Sequence, residues 1–393
     1  MKKHLRIVAI SFLVFCSWNT YAQNNEIAIT SLKNNTTSDD EILTFKHKDS
    51  KGNYIFTSSA KDGLLVKKTD SNLNTLGSYL LSDNDASETV NYKNAGLVFI
   101  KDKIWMLRRF KEKKSDQVTM KGRSLNSDKL TPEGDWSLIF NYDKSKYEDP
   151  DFYSSKSNQS LISTMRTKSD DKEADCVMKI SSYDGNFKQL WSTDKKFPFK
   201  DNVTSVMSAK TDEEGNFYLL IKVYRKHGKF MNLDRDDGKI NFDLHMIILS
   251  NKSESMLDYK LVFKTNIPAT YDFCINTKGD LVVAGYYTTD IDNCRVQDNA
   301  YTFDQKIYGS FYFNLDTKTN KIKSSSFDPF GKEILALNLK DKDAEKMNER
   351  IKAGETSKAG VDYLSLNTAE LMDDGSLYMI GQKSFAVEKK KGY

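Results

Sequence analysis

Six short segments of this chain repeat one pattern, and that repeat constrains the fold more than any other feature. A tight polar turn, in four of the six built on Gly followed by Asn, Asp or Ser, runs straight into a strand-like apolar stretch. The copies are Gly52-Asn53-Tyr54-Ile55-Phe56, Asp102-Lys103-Ile104-Trp105-Met106, Asn158-Gln159-Ser160-Leu161-Ile162, Gly215-Asn216-Phe217-Tyr218-Leu219, Gly279-Asp280-Leu281-Val282-Val283 and Gly375-Ser376-Leu377-Tyr378-Met379. Successive copies lie about fifty to sixty-five residues apart, except for the last pair. A period of that size marks an array of like units, each too small to bury its own apolar faces.

A second hairpin follows the better copies, which gives four strands to a unit. Leu64 to Asp70 turns into Leu76 to Leu81, and Cys176 to Ser181 turns through Asp184-Gly185-Asn186 into Leu190-Trp191. Met246 to Leu249 turns into Tyr259 to Phe263, and Phe311 to Leu315 into Ile322 to Phe327. Gly, Asn and Asp collect in such turns because they tolerate left-handed backbone or bond their own main chain. Phe217-Tyr218-Leu219-Leu220-Ile221 and Leu281-Val282-Val283-Ala284 are apolar on both faces, as strands sandwiched between neighbouring sheets must be. These features predict an all-β chain, a β-propeller of about six four-stranded blades forming one domain over 23–393. The blades are expected at roughly 40–83, 94–142, 151–197, 203–264, 269–330 and 361–385.

Between Gly279 and Gly375 the period is broken. The segment from Asp341 to Gly360 is charged and poor in β-formers, with Ala344, Met347 and Ile351 at helical spacing, so one short inserted helix is expected near 341–353. The last blade runs out of chain after two strands. It is therefore either incomplete or closed by an N-terminal strand, for which residues 25–33, with Ile27, Ile29 and Leu32, are the expected donor. An unfilled edge would invite association.

At the other end, Lys2, Lys3 and Arg6 precede an apolar run from Ile7 to Phe15 and then small and polar residues with Thr20 and Ala22. Residues 1–22 read as a secretory signal peptide, with the chain after cleavage starting at Gln23. A lipid-modified Cys16 is the rival reading, but Val14 and Phe15 stand where small residues belong. Loss of the leader takes the net charge from +4 to +1, which leaves no electrostatic footprint for nucleic acid. No other apolar stretch approaches the length of a membrane helix, so no transmembrane anchor is expected. The expected location is the periplasm, the cell surface or the medium. Cys176, Cys274 and Cys294 remain, an odd number that permits at most one intrachain bridge.

Signatures of chemistry are sparse. His47, His227 and His245 stand apart from one another in no metal-ligand spacing, and neither a nucleophile elbow nor a Gly-rich phosphate loop is present. Ser182, Asp184, Gly185 and Trp191 approach a sialidase-like box but miss its spacing. Asn232, Asp234 and Asp236, followed by Asp243, place oxygen ligands in alternation and form a candidate calcium site. Arg235 and the absence of Gly at the sixth position weaken it against a plain solvated loop. Tyr286, Tyr287, Tyr301 and Phe303 lie in or beside one long loop; exposed, they could stack on a sugar or contact a protein, and otherwise they cover a blade. No cofactor other than calcium is implied.

The motifs Gly215-Asn216-Phe217-Tyr218 and Tyr183-Asp184-Gly185-Asn186-Phe187-Lys188-Gln189-Leu190-Trp191 resemble those of quinoprotein-like, tandem-repeat propellers of secreted proteins. The stretch from Gly309-Ser310-Phe311-Tyr312 through Asp373-Asp374-Gly375 looks like exported β-propeller-like proteins of Gram-negative bacteria. That likeness implies an exported propeller and no particular activity. The expected function is an exported, non-catalytic binding or envelope scaffold whose loops recognise a protein or glycan of the cell envelope. The alternative is a carbohydrate-active enzyme with carboxylates at the propeller channel.

Overall fold

The repeated turns fold alike. In the first, the Asp49 carboxylate accepts hydrogen bonds from the backbone N–H groups of Lys51 (3.0 Å) and Asn53 (2.8 Å), and Gly52 takes the left-handed conformation at φ +83°. Asp212 repeats this with Glu214 and Asn216, and Asn276 with Lys278 and Asp280, at the same distances. The acceptor side chain sits three residues before a glycine whose φ is +82° at Gly215 and +81° at Gly279. Only a residue without Cβ enters that region without strain, so turn chemistry fixes how the two flanking strands pair.

The computed structural model describes residues 10–15, 44–82, 90–225, 240–289, 306–335 and 360–383, apart from positions 50, 61, 62, 102, 113, 172, 252–254 and 363, together with Lys342, Asp343, Glu345, Lys346 and Glu349. Among the described residues six antiparallel sheets of three or four strands follow one another, and Lys306–Ile307 pairs with Val361–Asp362 in a seventh, two-stranded one. Blade 1 is Thr44–Lys48, Tyr54–Ala60, Gly63–Thr69 and Thr75–Ser82; blade 2 is Val90–Ile100, Lys103–Glu112, Gln117–Leu125 and Pro132–Asp143. Blade 3 is Asp151–Ser154, Leu161–Arg166, Asp175–Tyr183 and Gln189–Lys200; blade 4 is Thr204–Thr211, Phe217–Tyr224, Phe242–Leu249 and Met256–Leu261. Blade 5 is Ile267–Ile275, Leu281–Thr288, Gly309–Asp316 and Lys321–Pro329. Blade 6 has Leu364–Leu371 and Leu377–Lys383, with Ile10–Phe15 as its third strand.

Blades pack face to face. Blades 4 and 5 share a cluster built on Phe242, Met246, Phe273, Val283 and Phe311, and blades 5 and 6 one built on Tyr286, Phe330, Ala369 and Met379. Every residue of Leu281–Thr288 is buried, whereas the outermost strand Gln189–Lys200 is mostly exposed. Each large apolar side chain so buried is worth about 1.5–3 kcal/mol. A salt bridge from Lys156, in the turn of blade 3, to Glu370, on the first strand of blade 6, spans 2.8 Å. Blades three apart in a ring of six face each other across its axis, and this contact joins such a pair.

The first strand of each blade lines that axis. In five blades it is kinked by one extra residue against the second strand, at Lys46, Ala95, Met207, Ala269 and Asn367. Such bulges bend a strand and turn a side chain out of its alternation. The turns after the first strands form one end of the ring. The connections between blades belong to the other.

The expected helix near 341–353 corresponds to the helical positions Lys342, Asp343, Glu345, Lys346 and Glu349. A single turn at Lys332–Leu335 precedes it, seated by Leu335 and Phe330 in the blade 5 to blade 6 cluster. Residues 25–33, the expected closing strand, lie outside the described residues. Ile10–Phe15 instead pairs antiparallel with Leu377–Lys383, from Ile10 opposite Lys383 to Phe15 opposite Tyr378. Cys176 and Cys274 are free buried thiols, and Cys294 lies outside the described residues. Among the described residues no helix is long and apolar enough to cross a membrane.

Candidate functional site

A cavity of about 490 Å³ opens between blades 3 and 4 at the end of the ring that carries the blade connections. Its size suits a small ligand or one or two sugar units. Glu148, Asp149 and Asp151 supply one wall from the connection that leads into blade 3, and Thr164 and Arg166 come from the second strand of that blade. Ser205, Val206, Met207 and Ser208 form the facing wall on the first strand of blade 4. Met207 is the bulged residue, and the bulge leaves it 44% exposed against the cavity. Tyr153, Met178 and Leu219 make an apolar floor.

The charges at this site are unequal in kind. Asp149 is committed to structure: Tyr142 donates to it at 2.8 Å, Arg109 pairs with it, and Lys144 lies 3.6 Å away. Burial alone would raise its carboxyl, but those hydrogen bonds and the guanidinium charge hold it below the usual carboxylate range. Arg166 is committed as well, to the Asp201 carboxylate at 2.6 Å and to the Asp201 carbonyl. Asp151 opens toward solvent, yet the protein around it and then the charge of Asp149 push its carboxyl upward, against a smaller pull from Arg109. Burial, followed by Asp151, pushes the Tyr153 phenol up to about 12, so it stays a neutral hydrogen-bonding ring.

What lies outside ion pairs at the mouth is therefore polar and weakly acidic, with the Ser205 hydroxyl donating to the Met207 sulfur at 3.9 Å and that of Thr164 bonded to Tyr153. Among the described residues neither Glu148 nor Asp151 forms an ion pair, and the hydroxyls of Thr164, Ser205 and Ser208 complete a set of donors and acceptors. A polyhydroxylated ligand could exchange hydrogen bonds with such a set while one face of a ring lies on Tyr153.

The residues singled out in the sequence lie elsewhere. Tyr286 and Tyr287 are 0% and 2% exposed. Of the two roles open to them they take the one inside the blade and not that of exposed ligand-binding rings: they point to opposite faces of a fully buried strand, Tyr286 onto Phe330 and Tyr287 onto Phe327. Tyr301 and Phe303 lie outside the described residues, as do Asn232, Asp234 and Asp236. Asp243, the last of the calcium candidates, has one oxygen on Arg225 at 3.1 Å and the other on Lys260 at 2.7 Å, so two side-chain cations occupy the carboxylate. His245 is buried with its ring nitrogen 2.7 Å from Asp258. Among the described residues no cluster of His, Cys, Asp or Glu could hold a metal ion.

Sequence reading missed Glu148-Asp149-Pro150-Asp151. The run was visible, but with 55 acidic residues in the chain nothing in its spacing separated it from the rest.

No family model matches the sequence, and no curated protein matches it. Solved structures match at low identity. Prolyl oligopeptidase B from Galerina marginata aligns over 86% of this chain and 38% of its own, at 10% identity and a TM-score of 0.41. An oligogalacturonate lyase in complex with manganese aligns over 73% of each chain, at 8% identity and 0.39. An endo-arabinase from Bacteroides thetaiotaomicron aligns over 77% of this chain and 94% of its own, at 10% identity and 0.34. Likeness at this level says nothing of chemistry. The propeller rests on its own topology: six successive antiparallel sheets, joined around an axis.

Proposed function

We propose that this chain is an exported binding protein of the bacterial envelope that takes a glycan into the cavity between blades 3 and 4 and releases it unchanged. The observation that carries the reading is the cavity wall itself. It joins unpaired carboxyls at Glu148 and Asp151 to the hydroxyls of Thr164, Ser205 and Ser208 over a tyrosine floor. The leader-like start of the chain supports export, and a propeller supplies the rigid frame on which loops and inner strands hold such a site. Asp149 and Arg166 shape the cavity rather than meet the ligand, because each is already paired.

A second reading has an observation of its own. Asp149 held ionised beside an Asp151 pushed toward protonation is the kind of division that lets two carboxyls serve as stabiliser and proton donor in glycoside cleavage. Against it, Asp149 is bound by Arg109, Tyr142 and Lys144 and is not free to act as a base or nucleophile.

The test is binding of purified protein from Gln23 onward to glycan arrays and envelope extract, with released sugars followed in the same samples. Retention without release, weakened at least about tenfold by Asp151→Asn, is the expected result. Sugar release abolished by that substitution would replace binding with catalysis. Retention indifferent to it would remove the cavity from either function.

A further inference from the structure

The leader expected from the sequence and the third strand of blade 6 are the same residues. Ile10–Phe15 pairs over six positions with Leu377–Lys383, yet a secreted chain leaves those residues behind. We propose that in the exported protein the vacated edge of Leu377–Lys383 is a docking site for residues 26–32 of the same chain. The inference rests on the export reading proposed for the chain.

Three observations select that occupant. The edge has a row of backbone groups that accepts an antiparallel strand, and left bare it would template association. Glu26 to Leu32 reads Glu-Ile-Ala-Ile-Thr-Ser-Leu, long enough to cover the edge, with Ile27 and Ile29 in alternation. Its place in the chain is right too. The twelve steps from Leu32 to Thr44, where blade 1 begins, reach about 40 Å when extended, enough to pass from one blade to the next. Among the described residues apolar clusters join each successive pair from blades 1 and 2 to blades 5 and 6, and none joins blade 6 to blade 1.

Burial sets the register. On blade 6, Ala369, Leu371 and Met379 face blade 5, and Gly381 lies on the same face, where an added Cβ would come within 2.7 Å of the Tyr286 hydroxyl. Directly opposed residues of an antiparallel pair project to one face, so the two isoleucines belong opposite these positions. Ile29 then stands opposite Met379 and Ile27 opposite Gly381. This puts Thr30 opposite Tyr378, with each incoming residue replacing a leader residue fifteen positions earlier.

The experiment uses protein recovered after export, its processing checked by intact mass, carrying Thr30→Cys with Tyr378→Cys. After mild oxidation, mass mapping should find these two cysteines linked within one chain. In parallel, amides of residues 378–383 should exchange with solvent at least about a hundredfold faster in a variant lacking 23–33 than in the processed wild type. A link between two chains would give the edge to a second copy and overturn the proposal. No link, with fast exchange of 378–383 in the processed wild type, would show the edge open and also overturn it. A leader still attached would defeat the export reading and the strand replacement with it, whereas a processed chain without the link defeats the replacement alone.

Discussion

Replacing Asp49 by Asn should unseat a buried charge without disturbing the turn it organises. The Asp49 carboxylate lies 3.0 Å from the Lys68 ammonium, whose side chain is 3% exposed and also donates to the Ser127 carbonyl at 2.6 Å. Burial by itself would raise the Asp49 carboxyl; hydrogen bonds from Asn53 and Lys68, with the ammonium charge, bring it down to about 2. Lowering a carboxyl from 3.8 to about 2 corresponds to about 2 kcal/mol of stability. Asn keeps the side-chain oxygen that the backbone N–H groups of the turn need, as Asn276 does at the equivalent place in blade 5, so the loss falls on the second oxygen, which accepts from the Asn53 amide at 3.0 Å and pairs with Lys68. The folded carboxyl is depressed, so this stability is full above about pH 4 and disappears as the pH falls through about 2. Urea unfolding of wild type, Asp49→Asn, Lys68→Met and the double variant measures it, at pH 7 and at about pH 2.5. The substitution should cost about 2 kcal/mol at pH 7, much less in acid, and a clearly smaller amount once Lys68 is Met, the remainder being the Asn53 hydrogen bond. An equal cost in the Lys68→Met background would refute any share of the ion pair in it.

Gly285→Ala should destabilise by about 3 kcal/mol, because its Cβ would overlap the Thr270 carbonyl and come within 2.7 Å of the Tyr271 backbone; Gly77→Ala, with nothing within 4 Å, should change unfolding by less than about 0.5 kcal/mol. Asp151→Asn should leave the protein as stable or slightly more stable at neutral pH. A carboxyl pushed upward by folding disfavours the folded state once pH rises past its unfolded value, so the gain should vanish on acidification; a loss of stability at pH 7 would contradict this. Millimolar calcium should leave the melting temperature unchanged, since Arg225 and Lys260 hold Asp243; a rise abolished by Asp234→Ala with Asp236→Ala would restore the calcium reading.

The fold was legible in the sequence because its turns demand particular residues. Gly52, Gly215, Gly279 and Gly375 each stand in left-handed backbone between the first two strands of a blade. Where the glycine was missing, Lys101 and Asn158 hold the same conformation, at φ +47° and +59°, and only the following apolar run gave the copy away. Tyr286 and Tyr287 stayed open between two roles for a related reason. Consecutive residues of a strand point to opposite faces, and in a propeller both faces are covered, so nothing local distinguishes such a pair from rings at a loop's edge. The cavity was illegible because its walls come from 148–151, 164–166 and 205–208, joined only by the packing of two blades. The inner-strand bulges left no trace either, since Lys46, Ala95, Met207, Ala269 and Asn367 share no chemistry.

The contact between Lys156 and Glu370 adds little to stability, both side chains being more than half exposed. Its consequence is positional: it ties the first turn of blade 3 to the inner strand of blade 6, two elements 214 residues apart in the chain, so each helps to set where the other stands.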